Sequence, residues 1–412
     1  MKNIYIYLKT LLIPFAFILQ NCSTINCLQF EPLAWLWNVS NEEVPRLLDL
    51  EKILISVDSK LQPLLNGSYF GGTYLDIKAI KINVNTVDQS KVDEIKKKKE
   101  SDQDYLNFIA VNNTLSQLTS TFNQTFILAQ QLNITNCIIS IEPEFNNVVI
   151  YLRMDDGNNK EFIEKVETFN PSPIINLLPN EDNEEILFNS STLVEKRNIY
   201  TIVDGGSPIV SLNHDNDTRT CSAGFWMRNN NQDVILTAGH CPEIFPTLFY
   251  VNSFHNDHLI GPMDARVIRL YDMGFIRRTN PNIFFRPVIR QLIREISQFV
   301  QLFIVGSSEI TSCGTHICKA GQSTGITCGL VSAFTSVGIY DHHLRVRTFI
   351  APMDNAPGDS GGSMFRYNGH NNESYLADAV GIYVGGIFGR MAMGMSMSVA
   401  YELGYSLITA QY

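Results

Sequence analysis

The chain has 412 residues, 41 acidic against 31 basic, for a formal net charge of -10 and a pI near 5.3. That balance excludes a basic footprint for nucleic acid: the one basic run, Lys96-Lys97-Lys98-Lys99, is flanked by Asp93, Glu94, Glu100 and Asp102 and reads as a solvated helix face. A hydrophobic content of 45% over this length supplies cores for two or three domains. The acidity is uneven, with 16 acidic and 14 basic side chains in residues 198–412 and 25 and 17 before them.

In chain order, Lys2 and Lys9 flank a short basic region, and Thr10 to Leu19 is an apolar run too short to span a bilayer but suited to a signal-peptide core. A signal peptide is expected over residues 1–22, with cleavage between Cys22 and Cys27; Leu19-Gln20-Asn21-Cys22 is a poor lipobox because Gln20 and Asn21 are not small. Asn38, Asn66, Asn112, Asn123, Asn133, Asn189, Asn216 and Asn372 each open an Asn-x-Ser/Thr triplet, which fits a secreted, extracellular glycoprotein. Later apolar stretches such as Ala379 to Gly389 are rich in glycine and end at Arg390; they read as strands, not membrane spans.

Residues 23–197 have their own organisation. Apolar residues recur at helical spacing from Glu42 to Leu64. Gly71 to Asp76 leads into Ile80-Lys81-Ile82-Asn83-Val84, which alternates like a strand, followed by a charged helix over Asp88 to Lys99. A further helix is predicted from Asp104 to Leu132, and Ile138 to Ile141 with Val148 to Arg153 form a strand pair across Phe145-Asn146-Asn147. This is an α+β domain without catalytic motifs. Asn180 to Ser191 is polar and acidic, and Lys196-Arg197 then offers a dibasic processing site at the join, from which a second domain over 198–412 begins near Asn198.

The second domain carries the chemistry. His240 lies in Leu236-Thr237-Ala238-Gly239-His240-Cys241 and Ser360 in Pro357-Gly358-Asp359-Ser360-Gly361-Gly362, with Asp272 between them in a strand-like apolar setting. A serine hydroxyl is a weak nucleophile at neutral pH unless a base takes its proton, and imidazole has the pKa for that exchange. A carboxylate is needed to orient the imidazole. The chain order His, Asp, Ser separates this arrangement from the two other orders known for the same geometry. Small residues around Ser360 let the backbone approach a substrate carbonyl, with the amides of Gly358 and Ser360 aimed at the developing oxyanion. His255-Asn256-Asp257-His258 has metal-like spacing but lacks a third ligand and reads as a surface loop, so no metal or cofactor is expected. Met391, Met393, Met395 and Met397 alternate as one strand face, open to core packing or to a pocket wall.

From about Ile202 onward the chain resembles the chymotrypsin-like serine proteases, within them the α-lytic protease and streptogrisin branch. The resemblance rests on Cys221-Ser222-Ala223-Gly224-Phe225, the His240 segment, Ile317-Cys318-Lys319-Ala320-Gly321 through Ser323-Thr324-Gly325 to Cys328-Gly329, and the Ser360 segment. It implies an all-β protease domain of two six-stranded antiparallel barrels with the triad between them. Residues 23–197 resemble, more weakly, the pro-regions of that branch, which assist folding and block the cleft. The resemblance also implies disulfides Cys221–Cys241 and Cys318–Cys328, leaving Cys137 and Cys313 free or paired outside the pattern. The disulfide expected near the nucleophile is missing, Asp354 standing at one of its places. By the same resemblance Asp354 falls at the floor of a primary pocket that would take Arg or Lys, Val384, Gly385 and Gly386 at its wall and substrate-pairing strand, and Lys319 in a buried pair with Asp359. The expectation is a monomeric secreted endopeptidase made as a zymogen, acting on protein or peptide substrates. The competing expectation is a secreted, non-catalytic binding protein on the same fold, whose usual mark, loss of the triad, is absent.

Overall fold

The structure is a computed structural model that describes residues 31–153, 159–178, 200–212, 218–253, 258–293, 298–340, 343–369, 375–387 and 389–411. The expected signal segment, the polar stretch 180–191, Lys196 and Arg197, Asn198, the residues His255, Asn256 and Asp257, and the triplets at Asn189, Asn216 and Asn372 lie outside them. Asn38, Asn66, Asn112, Asn123 and Asn133 are all exposed.

The N-terminal part begins with helix α1 (Glu31–Trp37) and helix α2 (Val44–Leu61). In α2, the buried residues Val44, Leu47, Leu48, Glu51, Leu54, Val57 and Leu61 form a stripe at three- to four-residue spacing, apolar except for Glu51, with Pro45 in the first turn where a missing amide costs nothing. Strands β1 (Phe70–Asp76), β2 (Lys81–Thr86) and β3 (Leu106–Ala110) form a small sheet; helix α3 (Val92–Lys98) lies between the last two. The helix predicted over 104–132 is therefore two elements. Leu106 to Ala110 pairs in parallel with β2, and helix α4 (Leu115–Gln131) starts only where Thr114 and Gln117 form a reciprocal capping box. Strands β4 (Cys137–Glu142) and β5 (Asn147–Arg153) make a hairpin, followed by helix α5 (Asn159–Val166) and strand β6 (Ile174–Leu178), which is parallel to β5.

The remainder is mostly β. Strands β7 (Thr201–Gly205), β8 (Pro208–Leu212), β9 (Thr218–Ser222), β10 (Trp226–Asn229), β11 (Gln232–Thr237), β12 (Thr247–Val251), β13 (Leu259–Val267) and β14 (Met273–Arg277) come first. Long strands β15 (Ile283–Ile293) and β16 (Gln298–Ser307) cross to the second half. There follow β17 (His316–Gly321), β18 (Gly325–Leu330), β19 (Ala333–Tyr340), β20 (His343–Ala351), β21 (Ser363–Tyr367), β22 (Leu376–Ile387), β23 (Met391–Ser396), helix α6 (Met397–Glu402) and β24 (Ser406–Leu407). One sheet of eight strands runs β24-β10-β11-β14-β13-β12-β8-β9, and a sheet of 13 strands contains β18-β17-β21-β22-β23-β20-β19-β4-β5-β6. Neither sheet closes on itself among the described residues, so six-stranded closure is not what is observed. The second sheet runs on instead: β4 pairs with β19 from Ser336 to Ile339, covering an edge that would otherwise present unpaired amides and carbonyls. Met391, Met393, Met395 and Met397 are all buried in the main core. No helix among the described residues is long and apolar enough to cross a membrane.

The two parts of the chain also share a buried polar joint. Glu51 of α2 and His316 of β17 are both essentially inaccessible, and His316 Nδ1 lies 2.6 Å from Glu51 Oε2 while its amide donates to Oε1 at 2.7 Å. Arg366 donates to the same carboxylate at 2.8 Å. The Tyr367 amide donates to His316 Nε2 at 3.0 Å, so the ring is a neutral tautomer that donates through Nδ1. Burial raises the Glu51 pKa, but His316 and Arg366 outweigh it and hold it at about 2; burial pushes His316 below its ordinary value despite Glu51.

Below about pH 6.5 the unfolded chain binds a proton that folded His316 resists, and below about pH 4.5 another that Glu51 resists. Stability should accordingly fall as the pH falls through these values. Urea unfolding at pH 7 and pH 5 checks this; His316→Gln should be less stable but show a shallower slope between pH 6.5 and pH 5. At pH 7 the same assay should find Glu51→Ala destabilised by about 3–5 kcal/mol, because a guanidinium loses its buried partner.

Candidate active site

β11 ends at Thr237, and the turn that follows presents His240, with Cys241 bonded to Cys221 on β9 to anchor it. Asp272 immediately precedes β14, the neighbour of β11, so the sheet itself brings the two side chains together. Asp272 is 2% exposed. Its Oδ1 accepts the His240 amide at 2.9 Å and its Oδ2 lies 2.6 Å from His240 Nδ1. His240 Nε2 lies 3.0 Å from Ser360 Oγ. Burial alone would raise the Asp272 pKa; His240 and the Arg345 guanidinium, with the imidazole and amide hydrogen bonds, hold it at about 2, so the carboxylate is an anion at any working pH.

The Ser360 turn is fixed from several sides. Gly358 has φ of +96°, and a Cβ there would run into Gln322 and Ser323, so the position requires glycine. Ser222 Oγ donates to the Gly358 carbonyl at 2.8 Å, and the Ser222 amide donates to the Ser360 carbonyl at 2.7 Å. The Gly361 amide donates to Tyr383 of β22 at 2.7 Å. Among the described residues none accepts a hydrogen bond from the amide of Gly358 or of Ser360. Neither amide is spent on a partner among the described residues.

Beneath the turn, Lys319 Nζ lies 2.7 Å from Asp359 Oδ2, with both side chains fully buried. Thr324 Oγ1 and the Ala356 amide also donate to Oδ2, at 2.7 and 3.1 Å, and the amides of Ser323 and Thr324 donate to Oδ1 at 3.0 and 3.1 Å. Burial pulls the Lys319 pKa below its ordinary value, against the attraction of Asp359. The Cys318–Cys328 bond closes the hairpin that carries this lysine.

Val384 is buried and bulged between the paired Tyr383 and Gly385, with Gly385 and Gly386 continuing the strand opposite Met393 and Ala392. Asp354 is exposed, and the Thr327 hydroxyl donates to its carbonyl at 2.8 Å. The inward residue is its neighbour Asn355, whose Nδ2 donates to the carbonyls of Met353 and Ile387 at 3.0 Å and of Met391 at 3.1 Å, while Oδ1 accepts from the Tyr383 hydroxyl at 2.8 Å. Asn355 ties the segment before the nucleophile to the β22–β23 turn, the two places where the expected disulfide is missing. No sequence signal marks it. Cys137 and Cys313 are buried and form no disulfide among the described residues, the Cys137 thiol pushed up to about 12 by burial. His258 Nδ1 sits 3.0 Å from Ser253 Oγ.

A hydroxyl, an imidazole and a buried carboxylate in series, set beside two free amides at a glycine turn in a mostly β fold, have the layout of a chymotrypsin-like serine protease. The chain is 26% identical over 148 residues to Streptogrisin-C of Streptomyces griseus, a stretch covering 36% of this chain. The matched stretch spans 30% of the length of that relative. Thermobifida fusca Protease A and Nocardiopsis Protease (NAPase) each match at a TM-score of 0.41 and 22% identity, covering 51% of this chain and 100% of theirs. The Alpha-lytic protease homolog N4 matches at 0.40 and 19%, covering 50% and 100%. No family model matches the chain. The chain resembles the chymotrypsin-like serine proteases of the α-lytic and streptogrisin type.

Replacing Lys319 by Met should strand the Asp359 carboxylate in a dry site and lower the unfolding free energy by about 3–5 kcal/mol. A surface ion pair of this kind would cost about 1 kcal/mol or less, so chemical unfolding of the variant separates the two cases.

Proposed function

We propose that the chain is a secreted serine endopeptidase made as a zymogen. The observation that carries this reading is the unbroken series of contacts from Ser360 Oγ through His240 to Asp272, at 3.0 and 2.6 Å. Ser360 Oγ attacks the scissile carbonyl while His240 Nε2 takes its proton; Asp272 orients the ring and offsets the charge of the imidazolium. The amides of Gly358 and Ser360 stabilise the oxyanion. Collapse of the tetrahedral intermediate breaks the C–N bond as the imidazolium returns its proton to the leaving amine. A water molecule, activated by the same imidazole, then hydrolyses the acyl-enzyme. A non-catalytic binding role gains nothing from this machinery.

In this reading residues 1–22 are the signal, 23–197 the pro-region and 198–412 the protease domain, with cleavage after Lys196-Arg197. The enzyme is monomeric, acts outside the cell on proteins or peptides, and needs no cofactor. The internal Lys319–Asp359 pair orders the oxyanion turn, so the start of the mature chain matters little. Asp354 gives a preference for Arg or Lys; because it is exposed, that preference would act at a rim in contact with water and be modest.

Ser360→Ala should fold normally, lose fluorophosphonate labelling and lose peptidase activity by a factor on the order of 10⁶. An alanine variant that still labels at a single site would refute the assignment. On peptide libraries read by mass spectrometry, Arg and Lys before the cut should exceed Phe and Leu, and Asp354→Asn should erase the difference.

A further inference from the structure

Arg345 of β20 is 8% exposed, and its guanidinium spans two partners. Nη2 lies 2.8 Å from Asp272 Oδ2, and Nη1 donates to the carbonyl of the bulged Val384 at 2.6 Å. The cation sits over the Tyr340 ring, 4.4 Å from its centroid. Its placement comes from an irregularity in the β19–β20 ladder: Ser336 pairs with Thr348 but Gly338 with Arg345, so Val346 and Arg347 together oppose Val337, and Arg347 has φ of +56°. Such a bulge re-aims the flanking side chains.

The contacts leave the Asp272 carboxylate no freedom. Oδ1 takes the His240 amide, while Oδ2 takes both the imidazole and the guanidinium. Other groups face this cluster. Arg266 of β13 donates to the carbonyls of Gly239 and Pro242, and behind Tyr340 stand Cys137 of β4 and Arg153 of β5. Ser360 lies on the far side of the imidazole. Of the two arginines nearest Asp272, Arg345 is the one in hydrogen-bond contact with it.

We propose that Arg345 is a positioning residue of the catalytic centre: it fixes the rotation of the Asp272 carboxylate, shares its charge with His240, and ties the aspartate to the Val384 strand. The proposal rests on the peptidase reading above. A carboxylate that also faces a guanidinium stabilises an imidazolium less than an unshared one does. Removing the guanidinium should make the imidazolium easier to form and at the same time let the carboxylate turn. Charge and geometry then separate in two variants. Arg345→Met loses both, whereas Arg345→Lys keeps a point charge but not the fork.

The test uses protein recovered from a secretory host, with active sites counted by fluorophosphonate titration and kcat and KM measured on a small peptide substrate from pH 5 to pH 9. For Arg345→Met, kcat per titrated site should fall on the order of 10²-fold, as for a misplaced catalytic group. The acid limb of its kcat/KM profile should move to higher pH by about half a unit or more. Arg345→Lys should lose kcat while keeping the wild-type limb. A titratable Arg345→Met whose acid limb coincides with that of the wild type overturns the role of Arg345 and leaves the peptidase reading standing. If Arg345→Met gives no titratable enzyme, Arg345→Lys decides: a limb displaced upward overturns the proposal, and a retained limb with reduced kcat upholds it. A wild-type protein that neither labels nor cleaves overturns the peptidase reading, and this proposal with it.

Discussion

Wholly removed from water, the carboxylate of Asp359 accepts from five donors: the Lys319 ammonium, the Thr324 hydroxyl, and the amides of Ser323, Thr324 and Ala356. A buried anion with fewer partners would cost several kcal/mol or take up a proton. Each of those donors belongs to a segment that must therefore stay where it is. The hairpin of β17 and β18 is pinned through Lys319 and Thr324, and the turn before the nucleophile through Ala356. The next residue in the chain is Ser360, whose amide and hydroxyl inherit their positions from this anchor. The position of Ser360 is thus set by an ion pair that is itself wholly buried.

The aspartate end of the site is anchored differently. His240 and Asp272 come from neighbouring strands of the eight-stranded sheet, and Arg345 reaches them from the 13-stranded one. The cleft between the sheets is bridged by charge on one side and, on the other, by the Ser222 contacts to Gly358 and Ser360. Both bridges are short and directional. Sliding one sheet against the other would break hydrogen bonds to charged or buried groups, which keeps Ser360 in register with His240.

Legibility in the sequence followed the range of the interactions. His240, Asp272, Ser360 and Gly358 could be named because nucleophilic chemistry demands those residue types in short, recognisable runs; the structure brings the side chains of the first three within contact distance and gives Gly358 the positive φ of a tight turn. Lys319 could be named only through the resemblance, which places a basic residue directly after the hairpin cysteine. Arg345 could not: it alternates with Leu344 and Val346, a pattern that assigns an arginine to solvent, and only the bulge at Val346-Arg347 turns it inward. Glu51 and His316 are 265 positions apart and Asn355 and Ile387 are 32 apart, with nothing local to mark either pair. The strand at Leu106 to Ala110 was hidden by the helical composition that follows it, although the Thr114 and Gln117 cap gives the true start of the helix. The hairpin of β4 and β5 was legible as a strand pair, but its pairing with β19 was not, since strand edges meet by backbone groups that every sequence carries.

That shared edge gives hydrolysis of the chain between residues 178 and 200 a particular meaning. The backbone ladder from β4 to β19, the Glu51 joint and the Ser312 to Asp58 hydrogen bond at 2.5 Å do not run through the cut segment. Scission alone would leave the two pieces as a tight complex, obeying mass action, whose lifetime is set by a dissociation rate and whose population is set by dilution. Nicked and separated are then two different species, distinguishable by size under native conditions although identical on a denaturing gel. Acidification, which weakens the His316 contact, would speed the passage from one to the other.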